Sequence, residues 1–280
     1  NARSDCIIIA SINNDTKEVK LVSVYRDTLL NTEDDTYDKA NSAYAVGGAE
    51  AAVNMLNRNL DLNIQDYVSV NFLAVADVVD LLGGIDLDLT DEEVVHMNNY
   101  CVETSEITGK KYKKIEPEVA GTYHLNGVQA VSYSRIRYTE GGDFQRTSRQ
   151  RLVIEKIAEE AKKADLSTIN KIIDAVFPEI TTSFTSGEIV KMSAGLLQYS
   201  IGDNEGFPMD NETPDSIPGY QGSYVVPKGL EENVIKLHKF LFPDEDYTPT
   251  DTLKEISDHI KDVTGIYPDD SEDSTEDNEE

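Results

Sequence analysis

The segment from Ser132 to Arg151, SYSRIRYTEGGDFQRTSRQR, holds five of the eight arginines in a chain of 280 residues. They are Arg135, Arg137, Arg146, Arg149 and Arg151. The rest of the chain is acidic, because the formal net charge at pH 7 is −28. A guanidinium group donates two parallel hydrogen bonds to phosphate and keeps its charge. The segment therefore indicates either a phosphate site or a set of ion pairs with carboxylates, and spacing leaves both open.

The spacing inside the segment predicts where these side chains point. Arg135 and Arg137 are two residues apart, so on a strand they would share one face. Asp143 and Arg146 are three apart, and Arg146 and Gln150 are four apart, which places them on one side of a helix. A glycine pair joins the two pieces. The pattern predicts several guanidinium groups directed at a single point.

A second candidate group lies near the start of the chain. Asp5 comes just before one predicted strand, and Arg26 and Asp27 end the strand predicted to pair with it. A strand-edge aspartate beside a phosphate site could hold Mg²⁺, which takes one or two carboxylates with phosphate oxygens and water. An aspartate in a turn is the alternative.

Other kinds of site lack their parts in this sequence. There is no phosphate-binding G-x-x-x-x-G-K-[ST] loop, no G-x-G-x-x-G and no G-x-S-x-G elbow. No two histidines stand at zinc-ligand spacing. Gly47-Gly48 before an alanine-rich helical pattern could bind an anion at a helix start or form a packing turn.

Strands alternate with helices along the chain, which predicts an α/β fold, layered α/β/α with a central mixed β-sheet flanked by helices. DCIIIASI and VKLVSVYRD read as a hairpin. SRQRLVIEKIAEEAKKA reads as a long amphipathic helix. The apolar side of that helix is predicted to comprise Leu152, Ile154, Ile157 and Ala161.

Composition narrows the possible partners. The acidity disfavours nucleic acid, whose binding proteins present a basic face. No apolar run is long enough to span a membrane. Residues 269–280, DDSEDSTEDNEE, are predicted to be a disordered, solvating tail. Cys6 and Cys101 are far apart and are predicted to be buried, unpaired thiols.

Six motifs occur in an order that resembles the LytR-CpsA-Psr family of Gram-positive cell-envelope proteins. They are RSD (3–5), SVYRDT (23–28), KANSAYAVGG (39–48), VNFLAVADVVDLLGGIDLDL (70–89), LNGVQAVSYSRIR (125–137) and DFQRTSRQR (143–151). The resemblance implies a domain over residues 1–245, with its motif core in 3–155 and a helical remainder in 156–245. Residues 246–280 would be a C-terminal helix fragment and the acidic tail.

The family's first strand ends in Gly-x-Asp and supplies a second metal ligand. This strand would precede Asn1, so the resemblance implies that the chain is a fragment. It further implies a single membrane anchor upstream and a location on the extracellular face of the cytoplasmic membrane.

The resemblance implies a Mg²⁺-dependent phosphotransferase. Such an enzyme moves an anionic glycopolymer, of teichoic acid or capsule type, from polyprenyl pyrophosphate to the C6 hydroxyl of N-acetylmuramic acid in peptidoglycan. By motif, the pyrophosphate would be held by Arg26, Arg135, Arg137 and Arg146. Asp143 and Gln150 would orient that set, and Asp5 would bind Mg²⁺. Asp27 would be a base or a positioning residue, and the apolar interior would take the lipid tail.

Two other functions remain open from the sequence. A pyrophosphatase would act on the same lipid, with water in place of the sugar hydroxyl. A non-catalytic envelope-binding or regulatory protein is the second, since family members have been labelled transcriptional attenuators.

Overall fold

The computed structural model describes residues 3–195 and 198–269. The strands are β1 (Ile8–Ile12), β2 (Glu18–Val24), β3 (Leu29–Glu33), β4 (Thr36–Lys39), β5 (Val68–Ser69), β6 (Ile85–Leu89), β7 (Gly121–Leu125), β8 (Thr181–Thr182), β9 (Ser200–Phe207), β10 (Asn211–Glu212) and β11 (Val226–Pro227). The helices are α1 (Ala40–Leu60), α2 (Phe72–Leu82), α3 (Asp91–Thr108), α4 (Gly127–Ser134), α5 (Gly142–Lys163), α6 (Leu166–Val176), α7 (Ser186–Gly195), α8 (Leu230–Leu241) and α9 (Asp251–Thr264). The predicted α/β fold is confirmed. The acidic tail, apart from Asp269, lies outside the described residues.

The contacts divide the described chain into two compact units. Unit one comprises the described residues of Asn1–Asp5, Arg26–Asn63 and Phe207–Glu280, and unit two comprises Cys6–Tyr25 and Ile64–Gly206. The domain predicted over residues 1–245 stays a prediction. Helices α8 and α9, on either side of its predicted end, both belong to unit one.

The predicted hairpin at the start of unit two is confirmed. Strands β1 and β2 pair antiparallel, with Ile8 opposite Ser23. The turn between them is held by the Asn13 side chain, whose Oδ1 accepts hydrogen bonds from the backbone N–H groups of Asp15 and Thr16. Asparagine is suited to such a turn because its side chain mimics a backbone acceptor. Strand β9 bonds to the other edge of β2 and completes a three-stranded sheet.

The core of unit two surrounds the antiparallel strands β6 and β7, which α3 separates in the chain. Its buried side chains come from these strands, from the helices around them and from the loop after α4: Val79, Ile85, Leu87, Leu89, Val94, Met97, Cys101, Leu125, Val128, Ala130, Tyr133, Ile136 and Val153. Burial confirms the prediction for Cys101 and raises the pKa of its thiol to about 11. The prediction is wrong for Cys6, which is exposed.

The predicted long helix exists as α5, but one residue of its predicted apolar face is wrong. Ile154 is exposed, whereas its neighbour Val153 is buried in the core. Leu152 and Ile157 pack against that core as predicted. Val153 is buried because that side of α5 faces the core formed with β6, β7 and α4, and periodicity within one helix does not show which side faces its neighbours.

Helix α4 is fixed at its start by a capping box and by a glycine that contacts α2. Asn126 and Gln129 form a capping box, in which each side chain accepts a hydrogen bond from the other residue's backbone N–H. Gly127 packs directly on the Ala76 carbonyl of α2, so that any Cβ would collide with the backbone. Its N–H donates to Asp80 Oδ1 at 2.7 Å. These contacts place the end of α4, and hence the first arginines, relative to α2.

In unit one, α1 begins earlier than its sequence suggests. Helix α1 starts at Ala40, and Gly47-Gly48 lies inside it at a kink, where Gly48 has φ +69°. The helical segment predicted to follow the glycine pair is therefore confirmed, and an earlier helical stretch that was not predicted joins it across the kink. The choice between an anion site and a packing turn at the pair stays a prediction. Glycine permits this left-handed conformation at little cost, which lets the helix bend and resume.

No helix in the described ranges combines the length and the apolar character that crossing a membrane would require.

Candidate functional site

The first two arginines of the segment do not lie on a strand. Helix α4 ends at Ser134, and Arg135 and Arg137 belong to the loop of residues 135–141 that leads to α5. The prediction of a shared strand face is therefore wrong. The cause is that the residues before Arg135 form α4, which is buried from Gly127 to Tyr133, so that Arg135 follows a helix and not a strand.

Arg135 is anchored to α3 and to two aromatic rings. Its Nη2 donates to Glu103 Oε2 at 2.8 Å, and its Nη1 donates to Thr104 Oγ1 at 2.9 Å. The guanidinium lies over the rings of Phe72 and Tyr100, at 4.9 and 5.3 Å from their centroids. Stacking on aromatic faces suits the planar guanidinium and fixes its orientation.

Arg137 and Arg146 converge on one carboxylate. Arg146 Nη2 lies 3.0 Å from both oxygens of Asp143, and Arg137 Nε lies 3.6 Å from Asp143 Oδ1. Asp143 occupies the first turn of α5, where the helix dipole favours a negative charge. The predicted stacking of Asp143 and Arg146 on the helix start is confirmed. Asp143 therefore holds two guanidinium groups together.

The three arginines also share a neighbour. Burial raises the pKa of the Tyr100 phenol, and the charges of Arg137, Arg135 and Arg146 partly offset that rise. We call Arg135, Arg137, Asp143 and Arg146 the arginine cluster. Arg146 is 2% exposed, whereas Arg137 is 36% exposed.

Gln150 lies one turn beyond Arg146 on α5. Its Oε1 is buried and accepts no hydrogen bond from the described residues. A buried acceptor left in this state costs about 1–3 kcal/mol, which is tolerated most readily where a ligand supplies the donor. Its predicted role in orienting the arginines stays a prediction.

The last two arginines of the segment serve the fold. Arg149 donates from Nε to Glu93 Oε1 at 2.9 Å, from Nη1 to the Ile136 carbonyl and from Nη2 to Thr139 Oγ1. Arg149 therefore ties α3 and the loop of residues 135–141 to α5. Arg151 Nε donates to Asn204 Oδ1 at 2.6 Å, and burial lowers the pKa of its guanidinium.

Unit one holds the other predicted residues. Arg26 Nη1 lies 2.7 Å from Asp5 Oδ1, and Arg26 Nε lies 3.4 Å from Asp27 Oδ2. Both carboxylates therefore contact the same guanidinium. The backbone carbonyl of Arg26 accepts the N–H of Asn41, which attaches this turn to the first residues of α1. The structure brings Asp5, Arg26 and Asp27 together as one cluster.

Lys39 is a further cation that the residue-level predictions omitted. Its Nζ lies 3.0 Å from Asp27 Oδ1 and 5.0 Å from the centroid of the Tyr224 ring. Tyr224 in turn donates its hydroxyl to Asp38 Oδ1, and burial is the main cause that raises its pKa. The motif KANSAYAVGG, which begins at Lys39, was the available signal.

The acidic side chains beside Arg26 offer the kind of ligand atom that magnesium requires. Asp5 and Asp27 offer carboxylate oxygens, the donors that Mg²⁺ prefers alongside phosphate oxygens and water. Within residues 3–195 and 198–269, no group of three or more His, Cys, Asp or Glu side chains is placed to hold a metal. The donor set therefore fits a metal that completes its shell from substrate and water.

Comparison with known sequences identifies the family. A profile of the LytR_cpsA_psr family matches residues 1–223, which is most of the chain. The protein belongs to this family, and the resemblance seen in the six motifs is confirmed.

Two curated relatives illustrate the similarity. Biofilm regulatory protein A of Streptococcus mutans is 35% identical over 208 residues, which cover 70% of this chain and 48% of that protein. The polyisoprenyl-teichoic acid–peptidoglycan teichoic acid transferase TagU of Enterococcus faecalis is 33% identical over 194 residues, which cover 68% of this chain and 58% of that protein. The chain thus matches about half the length of these relatives.

A solved structure supports the fold. The structure described as TagT bound to LI-WTA superposes with a TM-score of 0.67 at 22% identity, over 87% of this chain and 85% of that one. At this identity the likeness concerns the fold.

Proposed function

We propose that this chain is the catalytic part of a Mg²⁺-dependent phosphotransferase that moves an anionic glycopolymer from polyprenyl pyrophosphate to peptidoglycan. The observation that carries the proposal is the arginine cluster, in which Asp143 holds Arg137 and Arg146 while Arg135 is fixed nearby on two rings. Three oriented cations in a chain of net charge −28 suit a dianionic headgroup. The relative TagU of Enterococcus faecalis is named a polyisoprenyl-teichoic acid–peptidoglycan teichoic acid transferase, which supports a transfer of this kind.

In the proposed reaction, the C6 hydroxyl oxygen of N-acetylmuramic acid attacks the phosphorus that carries the glycopolymer. A new P–O bond forms, the bridging P–O bond of the pyrophosphate breaks, polyprenyl phosphate leaves, and the hydroxyl proton passes to solvent water. Negative charge grows on the leaving and non-bridging oxygens. Guanidinium groups held in place before the reaction stabilise that charge without reorganising.

The residues of unit one take the remaining roles in the proposal. Arg26 and Lys39 offer cations to phosphate oxygens, and Asp27 contacts both of them, so we assign Asp27 to positioning these cations rather than to accepting the proton. Asp5 would hold Mg²⁺. When bound, the metal offsets negative charge on phosphate oxygens. A membrane anchor upstream and an extracellular location in the Gram-positive envelope complete the proposal, because both substrates are found there.

The test is a transfer assay with Arg137→Ala and a matched control. Arg58 is 37% exposed and pairs with Asp34. It therefore resembles Arg137 in exposure and in having a carboxylate partner, but it lies outside the arginine cluster. We expect Arg137→Ala to lower transfer by about 10- to 100-fold, the loss of one or two charge-assisted hydrogen bonds. Arg58→Ala should retain the wild-type rate, and native mass spectrometry should detect less co-purified polyprenyl pyrophosphate in Arg137→Ala alone.

Equal rates in the two variants would contradict the proposal. Release of glycan phosphate at a rate that peptidoglycan does not change would favour a pyrophosphatase. Tight lipid binding without any turnover would favour a binding or regulatory role.

A further inference from the structure

Helix α1 carries two buried asparagines that differ in their hydrogen bonds. Asn59 is 0% exposed, its Oδ1 accepts the N–H of Asn31 at 2.9 Å, and its Nδ2 donates to the carbonyls of Asn31 and Met55. Asn41 is 2% exposed, and its buried Oδ1 accepts no hydrogen bond from the part of the chain that the structure describes. The same residue type in one helix is therefore satisfied at one position and unsatisfied at the other.

Folding alone does not account for an asparagine at position 41. A buried amide oxygen without a hydrogen bond destabilises the folded protein, because the oxygen has lost its contacts with water. Leucine branches in the same way as asparagine and would avoid that cost. A buried polar group left in this state calls for a functional cause, such as a ligand that completes its hydrogen bonds.

Asn41 adjoins the cations of unit one. Its backbone N–H donates to the Arg26 carbonyl at 3.0 Å, and Lys39 lies two residues before it. The proposed function assigns both of these cations to phosphate oxygens. A second buried group without a partner among the described residues, the Ser4 hydroxyl, precedes Asp5 in the same unit. Two such groups beside one charged cluster indicate that a ligand binds there.

The chemistry of the missing partner can be read from the atom that lacks it. A carbonyl oxygen accepts hydrogen bonds and donates none, so an ionised phosphate oxygen does not suit it and a hydroxyl group does. In the proposed reaction the attacking group is a hydroxyl. Asp27 already contacts Arg26 and Lys39, and Asp5 contacts Arg26. Of these three acceptors, Asn41 Oδ1 is the neutral one that no protein cation holds.

We propose that Asn41 binds the acceptor, with its Oδ1 accepting a hydrogen bond from the sugar hydroxyl that attacks phosphorus. This inference rests on the proposed function and adds to it a residue that recognises the acceptor. The amide does not take up the proton, which passes to solvent water as the new P–O bond forms and the bridging P–O bond breaks. Asn41 orients the hydroxyl, and a nucleophile misplaced by about 1 Å loses about 10²-fold in rate.

The experiment compares Asn41→Leu with two leucine controls on the same helix. Asn59→Leu replaces the buried asparagine that has its hydrogen bonds, and Asn54→Leu replaces an exposed one. The donor is a short-chain polyprenyl pyrophosphate that carries one N-acetylhexosamine, and the acceptor is a soluble peptidoglycan glycan. For each protein we would measure the donor Kd, the kcat and KM for the acceptor, the magnesium dependence of the rate, and the Tm.

We expect Asn41→Leu to lower kcat/KM for the acceptor by about 10- to 100-fold and to leave the donor Kd unchanged. Its Tm should equal or exceed that of wild type, because an unsatisfied buried amide is removed. Asn59→Leu should lower the Tm by about 5 °C or more, because three backbone groups lose their partner. Asn54→Leu should match wild type in rate and in Tm. A residue that served only the fold would show a lower Tm without a selective loss at the acceptor.

Three results would overturn the inference and leave the proposed function intact. They are a wild-type kcat/KM in Asn41→Leu, a donor affinity that falls as much as kcat/KM, and a loss of rate that more magnesium restores. The last would assign the amide to water on the metal. If wild type transferred nothing to the glycan, the proposed function would fail and the inference with it. Leucine is larger than asparagine, so Asn41→Ala repeats the kinetic test if Asn41→Leu does not fold.

Discussion

Arg149 and Arg137 are twelve residues apart in one segment, yet they are used in different ways. Arg149 is 4% exposed, and each of its described hydrogen bonds goes to a group of the protein. Arg137 is far more exposed, and its contact with Asp143 is long, at 3.6 Å. The comparison teaches that arginines of one segment can differ in use: Arg149 serves the fold, and we propose that Arg137 serves a ligand. Exposure alone does not separate the two uses, because Arg146 of the arginine cluster is as buried as Arg149.

The largest expected effect tests the folding side of this comparison. Arg149→Ala would leave Glu93 without its cation in a site where that side chain is 12% exposed. Breaking a buried pair from one side costs about 3–5 kcal/mol, because the remaining charge stays buried. We expect urea denaturation to detect a loss of that size in the free energy of unfolding.

The variant Glu93→Gln with Arg149→Ala serves as the control for the buried charge. It should recover part of the loss, because the double change removes the unpaired carboxylate as well. A free energy of unfolding for Arg149→Ala within about 1 kcal/mol of wild type would break the comparison, since Arg149 would then resemble a surface arginine.

Arg135 should show an intermediate behaviour, because its side chain is 17% exposed and is held by Glu103, Thr104 and two rings. Arg135→Ala is expected to reduce transfer and to cost about 1–2 kcal/mol of stability through the lost hydrogen bonds and ring stacking.

A comparison with Glu103→Ala sharpens that prediction. Glu103 is exposed, so losing it should change the free energy of unfolding by less than about 1 kcal/mol. If the two variants were equally stable, the stacking of Arg135 on Phe72 and Tyr100 would contribute nothing measurable.

The smallest expected effect comes from an exposed pair on the neighbouring strands β6 and β7. His124 Nδ1 lies 2.6 Å from Asp86 Oδ1, and this contact, followed by the Gly83 carbonyl, raises the histidine pKa above its ordinary value of 6.5. A raised folded-state pKa contributes stability that is complete below the unfolded value and is lost as pH rises through the folded value. Both side chains are mostly exposed, so solvent screening keeps the contribution small.

His124→Gln should therefore cost more stability at about pH 6 than at about pH 9. Thermal unfolding at the two pH values measures the difference. The same cost at both values would mean that the protonated histidine gains nothing from Asp86.

The candidate site was predictable in part. The motifs identified the residue types of the arginine cluster, and the three-residue spacing of Asp143 and Arg146 predicted their contact on a helix, because such a contact depends on local geometry alone. The positions of Arg135 and Arg137 were not predictable, since the end of α4 depends on which of its faces the core of unit two covers. Lys39 lay within one of the six motifs, but its partner Asp27 is twelve residues away, so local spacing did not predict their ion pair.

The sequence by itself determined the family, the α/β class and two local features: the β1–β2 hairpin and the contact of Asp143 with Arg146. The two local features depend on residues close to one another in the chain. Only the tertiary structure decided which arginines are buried, that Val153 rather than Ile154 faces the core, and that a helical stretch before Gly47-Gly48 joins the predicted helix across a kink. Those outcomes depend on burial against segments distant in the chain, and burial sets the free energy of each contact.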